Sequence, residues 1–153
     1  MKKFLSIVGS VFLILILVVG GFVGYMAYQG HGLDASSTAY CEENIPPIIS
    51  TWSKDELFKR SSPQLLESVS EKPGQLDQLF QKLSKLGAMR SFGGVHCDSL
   101  MDYSFSKGKA ITASCVGTAT YENGEAKISV RLIQLFGQWQ FLYFHVESPI
   151  FLQ

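Results

Sequence analysis

Hydrophobic and polar positions fall into three regimes along the chain. From Phe4 to Gln29 no side chain is charged, and Ile7 to Val19 is almost wholly Val, Leu, Ile and Phe. Such a run has no polar face. About 20 to 25 such residues, rising ~1.5 Å each, cross a ~30 Å hydrocarbon core as a helix with some tilt. Lys2 and Lys3 precede the run, Tyr25 and Tyr28 sit at interfacial positions, and His31, Asp34, Glu42 and Glu43 follow it. The positive-inside rule puts the N-terminus in the cytoplasm and the remainder outside. A cleaved secretory signal is the rival reading. The run is long for one, and Gly-Tyr-Met-Ala-Tyr-Gln is a poor cleavage site. The expected division is an anchor over residues 1–28, a polar spacer over 29–37 and one outer domain over 38–153.

The second regime has helical spacing. Asp34, Ser36 or Ser37 is placed to cap a helix carrying Ile45, Ile48, Ile49 and Trp52, with a kink or break expected at Pro46-Pro47. Ser53 to Glu56 is a capping box, and Ser62-Pro63 places serine at a cap and proline at the first helical position. Leu65, Leu66 and Val69 are expected to face inwards from that helix. Leu76, Leu79, Phe80, Leu83 and Leu86 form an amphipathic stripe between Pro73-Gly74 and Gly87.

After Gly93-Gly94 the period becomes that of strands. Lys107-Gly108, Asn123-Gly124 and Phe136-Gly137 punctuate four runs: Cys97 to Phe105, Ile111 to Tyr121, Ala126 to Leu135 and Trp139 to Val146. Asn-Gly suits a type I′ turn, whose two central residues need positive φ. Short connections force antiparallel neighbours, so the fold class is α+β, with helices packed on a four-stranded antiparallel meander.

Composition removes some functions. Thirteen basic residues balance 13 acidic ones, and no basic stripe interleaves with aromatics, so nucleic acid is not an expected partner. Gly20 and Gly24 form a small-xxx-small pair that permits close helix approach.

The pattern Tyr121-x-Asn-Gly-x-Ala-x-Ile-x-Val-x-Leu132, followed by Gly137-x-Trp-x-Phe and Phe144-His-Val-x-Ser148, resembles small membrane-anchored or secreted bacterial domains of the NTF2-like (cystatin-like) type. The resemblance covers roughly the outer domain. It implies a curved sheet wrapped around helices, often leaving a pocket that holds a ligand, an active site or nothing in different members. A cystatin-type inhibitor needs Gln-x-Val-x-Gly; Gln134-Leu-Phe-Gly137 is one residue short and lacks the valine, so that activity is not carried over.

Three cysteines in an oxidising compartment imply a disulfide. Cys97–Cys115 is favoured because the hairpin at Lys107-Gly108 brings the two segments together. A hairpin placing Ser106 opposite Lys109 leaves the pair three residues out of register, so this bridge calls for a bulge or irregular segment near Gly93 to Asp98. Cys41–Cys97 is the alternative, and a leftover Cys41 near the membrane is placed to join two copies. His96, Cys97, Asp98 and Asp102 match no zinc spacing, and adjacent strand residues face opposite ways, so neither metal nor nucleophile is expected there.

Trp139, Tyr143 and His145 alternate along the last strand. They share one face if the strand is regular, and would line any pocket there. No constellation specifies a cofactor, metal or reaction. The leading expectation is a non-enzymatic interaction module at the periplasmic side of a bacterial inner membrane. It would bind a protein partner or itself through a sheet edge or the tail Ile150-Phe151-Leu152. The alternative is an apolar-ligand binder or hydrolase using the pocket of Trp139, Tyr143 and His145.

Overall fold

The computed structural model describes residues 2–104 and 108–151; within them, the side chains of residues 2–8, 26, 27, 29–31, 103 and 104 lie outside the description. The elements are α1 (Lys2–Thr51), α2 (Lys54–Phe58), α3 (Pro63–Ser70), α4 (Gln75–Leu83) with a 3-10 turn at Ser84–Leu86, β1 (Met89–Ser104), β2 (Gly108–Tyr121), β3 (Gly124–Leu135), β4 (Gln138–Glu147) and a final 3-10 turn at Pro149–Phe151. The chain divides into two compact units, Met1–Leu33 and Asp34–Gln153.

The first unit is helical. Every large apolar side chain from Val11 to Val23 is between 53% and 67% exposed, with Tyr25 and Tyr28 exposed as well. The expected charged flank, Lys2, Lys3 and His31, lies outside the described side chains. Among the described residues, no helix is long and apolar enough to cross a membrane.

The second unit is α+β. Its sheet has the order β1-β2-β3-β4, antiparallel throughout, and its inner face carries Cys97, Ala113, Cys115, Ala119, Tyr121, Ala126, Ile128, Val130, Leu132, Phe141 and Val146. Cys41, Ile45, Ile48 and Ile49 from α1, with Leu57, Phe80, Leu83 and Leu86, complete the core. The unit begins at Asp34 rather than Thr38, and the 29–37 stretch expected as a spacer is helical. Asp34, Ser36 and Ser37 therefore do not cap a helix start. Asp34 Oδ1 accepts the Ser99 N–H at 2.7 Å, Ser37 Oγ meets Ser99 Oγ at 3.0 Å, and Ser36 Oγ accepts the Trp139 indole N–H at 2.9 Å. Ser99 lies on β1 and Trp139 on β4, the two edge strands. In a flat sheet these lie about 14 Å apart. Both bond to one turn of α1, so the sheet curls around it.

No break occurs at Pro46-Pro47, which lie inside α1. Proline removes N–H donors that would bond the Glu42 and Glu43 carbonyls. Glu42 and Glu43 are exposed, and the buried face of Cys41, Ile45, Ile48 and Ile49 holds the helix in place. α1 ends at Trp52, whose φ of 50° is left-handed. The ring stacks on Tyr121 at 5.8 Å and touches Phe80 at 5.7 Å, contacts that offset the backbone cost.

Caps form where the sequence places them. Ser53 Oγ accepts from Glu56 N at 3.4 Å, and Ser62 Oγ accepts from Leu65 N at 3.3 Å with Pro63 in the first turn. Leu65 is buried, but Leu66 is exposed rather than inward-facing.

The β1–β2 register pairs Ser104 with Gly108 and sets Cys97 directly opposite Cys115. The sequence expectation of a three-residue offset came from a tighter loop. The irregularity at Phe92/Val95 lies beyond the bridge and does not create this register. Gly93-Gly94 bulges within β1, which starts at Met89 instead of near Cys97. A Cβ on Gly93 would lie 2.5 Å from Thr118 Oγ1, and one on Gly117 would lie 2.8 Å from the Gly94 carbonyl oxygen.

The β2–β3 turn is centred on Glu122 and Asn123, since Tyr121 pairs with Gly124 and neither Asn123 nor Gly124 has positive φ. Expected type I′ geometry gives way to docking: Glu122 N bonds Ala88 O, Asn123 N bonds Leu86 O and Asn123 Nδ2 bonds Lys85 O. Type I′ angles occur instead at Phe136 (φ 51°) and Gly137 (φ 76°), between paired Leu135 and Gln138.

Candidate functional site

β4 is an edge strand, and its outer edge is unevenly covered. At one end Ser62 N donates to Phe141 O at 2.8 Å and Phe141 N donates to Arg60 O at 2.8 Å, a short parallel bridge. This bridge is braced by Arg60, whose guanidinium donates to Asn44 Oδ1, Glu56 O and Glu56 Oε2, each at 2.7 Å. Hydrogen bonds from Arg60 first, and then from Lys59 Nζ at 3.0 Å, hold the Glu56 carboxyl below its usual range.

Beyond Phe141 the edge opens. A groove of about 590 Å³ runs between it and α3–α4, with Leu65, Val69, Leu76 and Leu79 on the helical wall and Tyr143, Phe144 and His145 on the strand wall. A second hollow of about 450 Å³ shares Leu79 and Lys82 and continues past Val146 and Ser148 to Phe151. Together they form a trough along the C-terminal half of β4. The helices here present apolar side chains that are only half-buried, because α4 fills the core with Phe80 and Leu83 and leaves Leu76 and Leu79 beside the gap.

The residues expected to share a pocket are divided. Arg131 pairs with Tyr143 and Leu132 with Phe141, so Leu142 is an extra residue in β4. Such a bulge reverses the alternation. Trp139 and Phe141 stay on the helix-facing side, whereas Tyr143 and His145 turn to the other. Trp139 is buried against Ser36 and lines a separate hollow with Tyr40 and Arg60. Tyr143 stacks on His145 at 6.1 Å with Arg131 at 5.8 Å over its ring. His145 Nε2 meets Glu147 Oε1 at 3.2 Å in the open. Ser68, the hydroxyl of the groove wall, donates to Leu65 O at 3.2 Å and is thereby held on its own helix.

The cysteines form the second cluster. Cys97 and Cys115 are bonded, and Cys41 is a free thiol. All three are buried, and their sulfurs lie within 4.8 Å of one another, the one convergent group of three metal-type donors among the described residues. With two sulfurs joined, a single protonated thiol remains, which is not a ligand set. Burial, reinforced by Glu42, pushes the Cys41 thiol up to about 12. It faces the sheet, not a second copy. His96 and Asp98 are both exposed and 3.5 Å apart, while Cys97 between them points inwards.

The signal for the trough was present in the sequence as Leu65, Val69, Leu76 and Leu79. No protein family, curated protein or solved structure matches the chain.

Proposed function

We propose that this chain is a membrane-anchored, extracytoplasmic interaction module of NTF2-like type. In it the trough beside β4 receives an extended segment of a partner protein or of a second copy. The carrying observation is the unevenly covered edge. The chain's own residues 60–62 add to β4 at Phe141, while the adjoining half lies open beside apolar helix side chains. Strand addition uses such an edge, with main-chain bonds giving affinity and flanking apolar side chains giving selection. The sheet edge and Phe151 of the tail, two separate candidate contacts in the sequence, border the same trough. Curling of the sheet around α1 supports the NTF2-like reading. Anchoring is supported by an uncharged helix whose apolar side chains are exposed to their surroundings. A bacterial inner-membrane location with the outer unit in the periplasm follows from Lys2 and Lys3 ahead of that helix.

The test places a photo-activatable residue at Leu79 in the full-length protein in its native membrane, with Lys127 on the opposite sheet face as control. A discrete polypeptide adduct from position 79, absent from 127 and lost in Val69→Glu/Leu76→Glu, is the expected result. Equal labelling at both positions removes the trough from the proposal.

The alternative, a small apolar ligand in the groove beside Tyr143 and His145, is distinguished by the same probe. It predicts no adduct with protein at position 79 and photo-attachment of an added hydrophobic dye there.

A further inference from the structure

We propose that Cys41, Cys97 and Cys115 form an internal thiol–disulfide exchange centre. The Cys41 sulfur displaces one member of the Cys97–Cys115 bridge and so moves the covalent link from the β1–β2 hairpin to α1 and the sheet. The basis is placement. Cys41 is completely buried on the α1 face that carries Ile45 and Ile48, and Cys97 and Cys115 are a directly opposed pair on β1 and β2. Every sulfur of the three lies within 4.8 Å of the other two. A free thiol packed against a disulfide is the reactant pair for exchange, already assembled by the hydrophobic core.

The step balances without any other reagent. Cys41 Sγ loses its proton, and its electron pair forms a bond to Cys97 Sγ. The Cys97–Cys115 bond breaks, the departing pair stays on Cys115 Sγ, and that sulfur takes up the proton. Attack on Cys115 gives the mirror result with Cys97 free. One disulfide and one thiol exist before and after, so nothing is oxidised or reduced overall. The hairpin bridge spans 18 residues. The alternative bridges close far longer loops and tie the helix that leads into the domain covalently to the sheet.

Control of the rate resides in the surroundings of Cys41. The groups coupled to it are Glu42 and Tyr40 on its own helix. The sulfurs facing it from β1 and β2 are bonded to each other and do not titrate. Burial and the Glu42 charge keep the thiol protonated, and the thiolate is the attacking species, so exchange is slow near neutrality and accelerated by base.

The experiment incubates full-length protein in lipid vesicles at a series of pH values from about 6 to about 9. Samples are quenched in acid, unfolded and alkylated, and the labelled cysteines are mapped by mass spectrometry. The expected result is label on Cys41 at the start, then label appearing on Cys97 or Cys115 at a rate rising about tenfold per pH unit. Label confined to Cys41 at every pH overturns the proposal. That measurement needs no substitution. Cys115→Ser and Cys97→Ser, treated with oxidised glutathione, give the two products separately. A Cys41–Cys97 or Cys41–Cys115 bridge supports the proposal, and two free thiols in both folded variants oppose it.

Discussion

Two aromatic residues hold left-handed backbone conformations for different reasons. Trp52 does so at the end of α1, where its ring packs between Tyr121 and Phe80. Trp52→Ala should therefore cost about 3 kcal/mol in urea unfolding followed by near-ultraviolet circular dichroism. Trp52→Gly should cost less than alanine, since glycine accepts that φ; a larger loss with glycine would contradict the backbone account. Phe136 has positive φ with its side chain fully exposed, so no packing offsets the conformation. Phe136→Asn should raise stability by roughly 0.5–1 kcal/mol, because asparagine tolerates this turn position. A fall would mean that the phenyl ring has a contact in the folded protein. At Glu56 the folded pKa is depressed, so its stabilising effect is full above the ordinary value of 4.5 and disappears as pH falls through the lower folded value. Melting curves of Glu56→Gln and the parent chain should accordingly separate at neutral pH and converge in acid.

Among the elements, those set by local chemistry were legible: capped α2 and α3, the α4 stripe and the three later strands. Elements decided by distant contacts were not. Pro46-Pro47 signals a break from local rules, yet four buried side chains on one face carry the helix through it. Asn123-Gly124 signals a type I′ turn, yet backbone bonds to residues 86 and 88 shift the turn by one residue. Gly93-Gly94 marks a bulge within β1, and the extra residue Leu142 divides Trp139 from Tyr143 and His145. Strict alternation contains no sign of that insertion, which is why the trio read as one face. The bulge in β1 gives its own prediction. Gly117→Ala would place a methyl against the Gly94 carbonyl oxygen and should cost about 1–3 kcal/mol in thermal unfolding. Gly124→Ala meets only ordinary contacts, Leu86 at 3.8 Å, and should change stability by less than about 0.5 kcal/mol.

For the whole molecule, the decisive property is where the apolar residues are left uncovered. The Asp34–Gln153 unit buries its own core, whereas the helix of the first unit buries none of Val11 to Val23. Full-length protein should remain in the pellet after alkaline carbonate extraction, and Leu15→Lys/Val18→Lys should release it, at a cost of about 3 kcal/mol per lysine at the bilayer centre. Retention of that double variant would show that the attachment lies elsewhere.

The three adjacent sulfurs also bear on the order in which the chain appears during synthesis. Cys41 and Cys97 exist together before Cys115 has emerged, so the earliest bridge open to a growing chain joins the two that are not partners in the folded domain. Folding brings Cys115 alongside, and the pairing can then be corrected within the protein itself. A temporary link made early becomes a step towards the final one rather than a dead end.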